Sequence, residues 1–179
     1  MRDVIETIES EYKRYKRLGE GALAQVTEEQ LRTRPSDVSS SIATIVWHIS
    51  GNLESRFTDF LTSDGEKEWR DREDEFTDRG CSAQEAVEKW ERGWSVVFGT
   101  LASLDDSHLG TAVTIRGVAF TVAGALHRSL AHTSYHVGQM VYLGKMFAGE
   151  GWDYLSIPPG GTASYNANPM YEKGLEGLR

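Results

Sequence analysis

Cysteine is nearly absent from this chain of 179 residues: Cys81 stands alone. A lone thiol excludes an internal disulfide and any cysteine-rich structural zinc site within one chain, and it suits a reducing compartment. Long apolar runs are missing too. No window approaches the roughly 20 apolar residues that a membrane-spanning helix needs, and the opening MRDVIETIESEYKRYKR is charged throughout, without the apolar centre of a signal peptide. The expectation is a cytoplasmic protein with no membrane partner. Positive charge is scarce: 19 Lys and Arg face 27 Asp and Glu, for a formal net charge of -8. That balance opposes sequence-independent attraction to phosphate backbones, so no nucleic-acid partner is expected. No internal repeat is present. With 39% hydrophobic residues, the chain has enough apolar material for one substantial core.

Helical periodicity dominates what is there. Over residues 3–25, Val4, Ile5, Ile8, Tyr12, Tyr15, Leu18 and Leu23 follow one stripe opposite a charged face, which predicts a first long helix. Residues 27–38 contain Pro35 and turn formers and read as a connection. Ser39, Ser40 and Ser41 then offer caps for a second helix carrying Ile42, Ile45, Ile49, Leu53, Phe57 and Leu61. Ser82 and Glu85 form a capping-box pattern ahead of a third, ending near Leu104, although Gly93 and Gly99 weaken it. The β-branched stretches 111–115 and 118–122 flank Arg116-Gly117 and predict a short hairpin or extended segment. A fourth helix starts between Thr121 and Gly124 and runs to about Phe147, where Gly149 and Gly151 stop it. The segment 156–170, rich in proline and glycine, reads as a tail and not as an element. The fold class is therefore all-α, a four-helix bundle with a short extended or hairpin segment before the last helix.

Three histidines stand out. His132 and His136 lie four residues apart on the fourth helix, so they project about 40° apart in azimuth and one turn apart along the axis. That geometry suits a metal ion, and His48 on the second helix could supply a third ligand if the two helices pack side by side. Three neutral imidazoles would leave coordination positions open for water or substrate. Thr133 follows His132, so the glutamate of HExxH is absent and metalloprotease chemistry is not expected. His127 sits about 140° around the helix from His132 and should point away, while His108 reads as an exposed loop residue.

The segments WHISGNLESRFTDFLTSDGEKEWRDRE, from Trp47, and HRSLAHTSYHVGQMVYLGKMF, from His127, with its HxxxHxxQ pattern, resemble the DinB/YfiT-like superfamily of metal-binding four-helix bundles, including small members from Gram-positive bacteria. The resemblance covers nearly the whole chain. It implies a DinB-like domain over residues 1–155 with a C-terminal tail at 156–179. It also implies a divalent metal, zinc or nickel, held by His48, His132 and His136. Members of known activity include metal-dependent transferases for low-molecular-weight thiols, so the resemblance implies a small-molecule substrate, a thiol. The alternative is a noncatalytic metal-binding or helical interaction protein.

Several polar residues are candidates for supporting that chemistry. Asn52 lies one turn after His48, and Gln139 lies about 60° in azimuth from His136, so either could orient a water or donate to substrate. Arg56 and Arg128, one turn before His132, could attract an acidic substrate group. Tyr135 is turned about 100° from His136 and is expected in the core. No histidine lies near Cys81 in the sequence to act as its base, so it reads as inert. Residues 66–79, EKEWRDREDEFTDR, read as a solvated connection laced with ion pairs, with Trp69 and Phe76 placed either to pin it to the bundle or to cover the site. Tyr12, Tyr15, Trp90 and Trp94 recur at helical spacing as core anchors or as the interface of a homodimer. Tyr165 and Asn166 would contribute polar groups if the tail folded back over the metal pocket.

Overall fold

The computed structural model of the chain describes residues 1–170. They are mostly helical, in the order α1 (Asp3–Leu23), α2 (Glu28–Arg32), α3 (Ile42–Phe57), α4 (Ala83–Ser103), β1 (Ala112–Ile115), β2 (Val118–Thr121), α5 (Val122–Ala148) and α6 (Thr162–Ala167). Short 3₁₀ turns at Asp74–Phe76, Asp106–His108 and Gly149–Gly151 punctuate the connections. The helix α3 packs on α4 and α5, and α1 packs on α5 and α4. Tyr12, Phe57, Trp90 and Trp94 are fully buried among them, and Tyr12 meets both Phe57 and Trp94 edge-on. Among the described residues, no helix is long and apolar enough to cross a membrane.

Side-chain caps place the helix starts. The Ser41 hydroxyl accepts from the Thr44 amide, Ser82 and Glu85 close a reciprocal capping box, and the Thr121 hydroxyl accepts from the Gly124 amide. Each satisfies a first-turn N–H that has no partner within its helix. Residues 27–38 are more than the expected connection: Thr27 and Gln30 make a fourth capping device, a capping box that starts the short helix α2. The expected run of α3 to Leu61 stops at Phe57, because Thr58 is extended and Asp59 turns into the left-handed region at φ 48°. The Thr100 hydroxyl on α4 donates to the freed Phe57 carbonyl at 2.8 Å.

The hairpin forms as the β-branched residues predict, with Ala112 opposite Thr121 and Ile115 opposite Val118. Its two-residue turn needs positive φ at both positions, and Arg116 (56°) and Gly117 (72°) supply it. Arginine is an unusual choice there, and Asp64 compensates. Its carboxylate accepts from the Arg116 and Gly117 amides at 2.8 Å each and from the Glu66 amide at 2.7 Å. Those backbone donors hold the Asp64 carboxyl well below its ordinary range. The hairpin is thereby tied to the connection that follows α3.

The C-terminal segment, expected as a tail without an element, contains one. Trp152 is buried against Gly144, and the Gln25 side chain bonds both the amide and the carbonyl of Asp153. With the backbone held there, Thr162–Ala167 closes into the short helix α6. Residues 171–179 of the expected 156–179 tail lie outside the described residues.

Gly93 explains its own place in an otherwise regular helix. A Cβ at this position would lie 2.8 Å from the Cα of Ser50, so α3 and α4 touch backbone to backbone there. Gly93→Ala is expected to destabilise the protein by about 1–3 kcal/mol through overpacking, despite alanine's better helix propensity. A lower urea midpoint with an unchanged m-value would register this, whereas a raised midpoint would contradict the close contact.

Candidate metal centre

Where α3 meets α5, His48 is buried and His132 and His136 are half-buried. One ring nitrogen from each lies within 4.8 Å of the other two, a grouping that could hold a metal ion. His48 Nε2 and His132 Nε2 are 3.2 Å apart. Two nitrogens bound to one tetrahedral ion at about 2.0–2.1 Å would sit about 3.3 Å apart, so this separation fits a shared centre. The i, i+4 spacing brings the α5 pair to one face, and the α3–α5 packing brings His48 to it.

The opposite ring nitrogens are committed elsewhere. His48 Nδ1 is 2.9 Å from Glu75 Oε2, and His136 Nδ1 is 2.7 Å from Gln139 Oε1. A carboxylate and an amide oxygen only accept, so each Nδ1 carries the proton and each Nε2 keeps its lone pair for a ligand. This is the arrangement that metal-binding histidines use to set tautomer and ring orientation.

Glu75 was not anticipated, and the 66–79 cluster is not the purely solvated connection its charges implied. The 3₁₀ turn at Asp74–Phe76 carries Glu75 inward, where it is 6% exposed. Arg70 grips it with two hydrogen bonds, Nε to Oε1 at 2.8 Å and Nη2 to Oε2 at 2.9 Å. A Cβ on Gly51 would fall 2.1 Å from Glu75 Oε1, so a glycine on α3 makes room for the carboxylate. Burial alone would raise the Glu75 pKa, but the hydrogen bonds from His48 and Arg70 outweigh it and leave the carboxyl below its ordinary value. Phe76 packs over the His48 ring at 4.7 Å and so pins the connection, while Trp69 is exposed.

Burial, reinforced by the charges of His136, His48, Arg70 and Arg56, pushes the His132 pKa down to about 3. Burial lowers His136 as well, against the opposing pull of the Gln139 hydrogen bond. Both rings are therefore neutral near pH 7, as metal ligation requires.

A cavity of about 570 Å³ adjoins His48 and His132. Asn52 and Arg128 line it, as does Arg56, which also bonds the Gly65 carbonyl and Glu66. Gln139 lies outside that lining and reaches the site through His136. Val113, Thr114 and Ile115 of β1 form the facing wall. Tyr135 is 63% exposed and not in the core, because its azimuth on α5 faces away from α1 and α3; its ring edges onto His136 at 4.9 Å. His127 is exposed and stands apart from the cluster, as its azimuth predicts, whereas His108 is half-buried and not the exposed loop residue expected, because it bonds Asp105 at the 3₁₀ turn Asp106–His108. Cys81 is buried, which pushes its thiol pKa up and away from reactivity. Among the described residues the C-terminal segment does not line the histidine cavity: residues 154–160 line a second cavity against α1 and α5, and neither Tyr165 nor Asn166 lines the first.

These features define a helical protein with a partly buried three-histidine cluster beside a cavity. The chain belongs to the family described as Protein of unknown function (DUF1572), whose model matches residues 1–161. No curated protein and no solved structure matches it.

Two outcomes are expected from this geometry. Glu75→Ala strands the buried Arg70 guanidinium and frees the His48 ring, so it should lower stability by about 3–5 kcal/mol in urea unfolding. A loss under 1 kcal/mol would mean that the carboxylate is dispensable. The second concerns pH. Unfolded His132 protonates near its ordinary value of 6.5, whereas the folded ring resists protonation until about pH 3. As pH falls through that window the unfolded chain takes up a proton the folded chain refuses, and stability declines. Urea midpoints of chelator-treated protein should fall from pH 7 to pH 4, and fall less steeply in His132→Gln.

Proposed function

We propose that this protein is a divalent-metal-dependent enzyme acting on a small molecule, of the low-molecular-weight thiol transferase kind, with His48, His132 and His136 as ligands and zinc or nickel as the ion. One observation carries the reading: two of the three clustered imidazoles have Nδ1 occupied by Glu75 and Gln139, which leaves their Nε2 atoms free. The resemblance to the DinB/YfiT-like superfamily supports it, and on that reading the four long helices are the superfamily's four-helix bundle. A divalent ion held there would offer open positions to a thiol and lower its pKa.

The chain's own residues do the rest. Glu75, itself clamped by Arg70, holds the His48 ring in place and raises its basicity as a ligand. Gln139 does the same for His136. Asn52, buried on α3 and lining the cavity, is the candidate to orient the substrate, with Arg128 at the exposed side. In the transfer, the thiol sulfur forms a bond to the electrophilic carbon, the leaving group departs with its electron pair, and the thiol proton goes to solvent. A donor to the leaving group would come from Asn52 or Arg128.

Elemental analysis of purified protein should find about one divalent ion per chain, and alanine at any of the three histidines should remove most of it. Unchanged stoichiometry in all three variants would overturn the ligand assignment. Incubation with cellular thiols and an alkylating electrophile should then give turnover that stops on chelation and returns with added metal. Bound metal without turnover, together with a melting temperature that drops on chelation, would favour the noncatalytic alternative.

A further inference from the structure

Among the described residues the histidine cavity is lined by Arg56, Arg70, Arg72, Arg116 and Arg128, and by no aspartate or glutamate. In a chain of net charge -8, five arginines have gathered at this cavity. Part of it is compensated from behind. Glu66 bonds Arg56 at 3.0 Å and Arg116 at 2.9 Å, Glu75 bonds Arg70, and Glu73 bonds Arg72 at 3.0 Å. Five guanidiniums against three carboxylates leave two in excess. Arg128 makes no ion pair among the described residues, and its guanidinium sits 6.0 Å above the Phe120 ring.

Arg70 adds an independent sign. Its side chain is 2% exposed, yet its Nη1 is buried with no hydrogen-bond partner; the nearest carboxylate oxygen, on Glu66, is 3.8 Å away. Its guanidinium is thus compensated on one edge only; because Nη1 has no solvent-accessible surface, what Arg70 offers an oxyanion in the cavity is positive charge at short range and not a direct hydrogen bond. Val113, Ile115 and Phe60 supply apolar wall between the arginines, which lowers the local dielectric and strengthens each charge contact.

We propose that this cavity binds an oxyanion group, carboxylate or phosphoryl, carried by the substrate. The exposed Arg116 and Arg128 bind it beside His48 and His132, and the half-buried Arg56 and the buried Arg70 side chain add positive charge from the cavity wall. The identification of the bound molecule as a substrate rests on the enzyme reading above; the binding itself does not.

Calorimetric titration of the full chain tests this with succinate, inorganic phosphate and uncharged succinamide at fixed ionic strength, both metal-loaded and chelator-treated. At least one anion should bind about tenfold or more tighter than succinamide in both states, the scale of a single charge-assisted hydrogen bond. Which anion binds tighter separates carboxylate from phosphoryl recognition. The double variant R116Q/R128Q, with both side chains at the surface, should lose that preference while keeping the parent melting temperature. Equal binding of succinamide, or anion binding that the double variant retains in full, would overturn the proposal. Anion binding confined to the metal-loaded state would also overturn it, by placing the anion on the ion instead of the arginines. If no metal is found and no thiol turns over, yet the anion preference persists and depends on the arginines, the enzyme reading falls and the oxyanion site stands.

Discussion

The carboxylate of Glu75 is the point on which the site depends. It lies under α3, bonded on one side to Nδ1 of His48 and on the other to two guanidinium nitrogens of Arg70. A charged group removed from water is tolerated only when opposite charge and hydrogen bonds replace its hydration, and here three donors do so. The same contacts draw the 58–82 connection onto the helices, with Phe76 against the His48 ring and Gly51 leaving room for the carboxylate. One interaction thus closes a long connection and sets the tautomer of a candidate ligand.

The cavity beside it is assembled in a related way. Its outer wall is the β1–β2 hairpin, whose turn is held by the Asp64 carboxylate, and Asp64 belongs to the same connection that supplies Glu66, Arg70 and Glu75. Backbone amides hold Asp64 in its charged form, so the turn, the arginines and the histidine cluster share one electrostatic framework. In this framework acidic residues stand behind the cavity and arginines face into it. The protein's overall negative charge and the local positive character of the site therefore coexist without contradiction.

Much of the helical framework was legible from caps and periodicity, because those signals are local. Ser41, Ser82 with Glu85, and Thr121 start their helices where their side-chain oxygens allow, and the 111–122 stretch turns at Arg116-Gly117. The three clustered histidines were legible for a mixed reason: His132 and His136 from helical spacing, His48 from its place on a second helix on the condition that the two helices pack side by side, and from the resemblance. The short helix α2 was equally local and could have been found from Thr27 and Gln30. Tyr135 was misplaced because its azimuth relative to His136 says nothing about which face of α5 its neighbours cover. Nothing in the run of charges at 66–79 distinguishes Glu75 from Glu73, which is exposed.

By itself, then, the sequence determined where the long helices begin, that a hairpin precedes the last of them, and that two imidazoles share a helix face, since each follows from residues a few positions apart. Only the tertiary structure decided which acid turned inward, which arginines converged on the cavity, and that His48 came within reach of the pair on α5. Those outcomes depend on how α3, α5 and the 58–82 connection pack together, and burial and pairing of charge are properties of that packing rather than of neighbours along the chain.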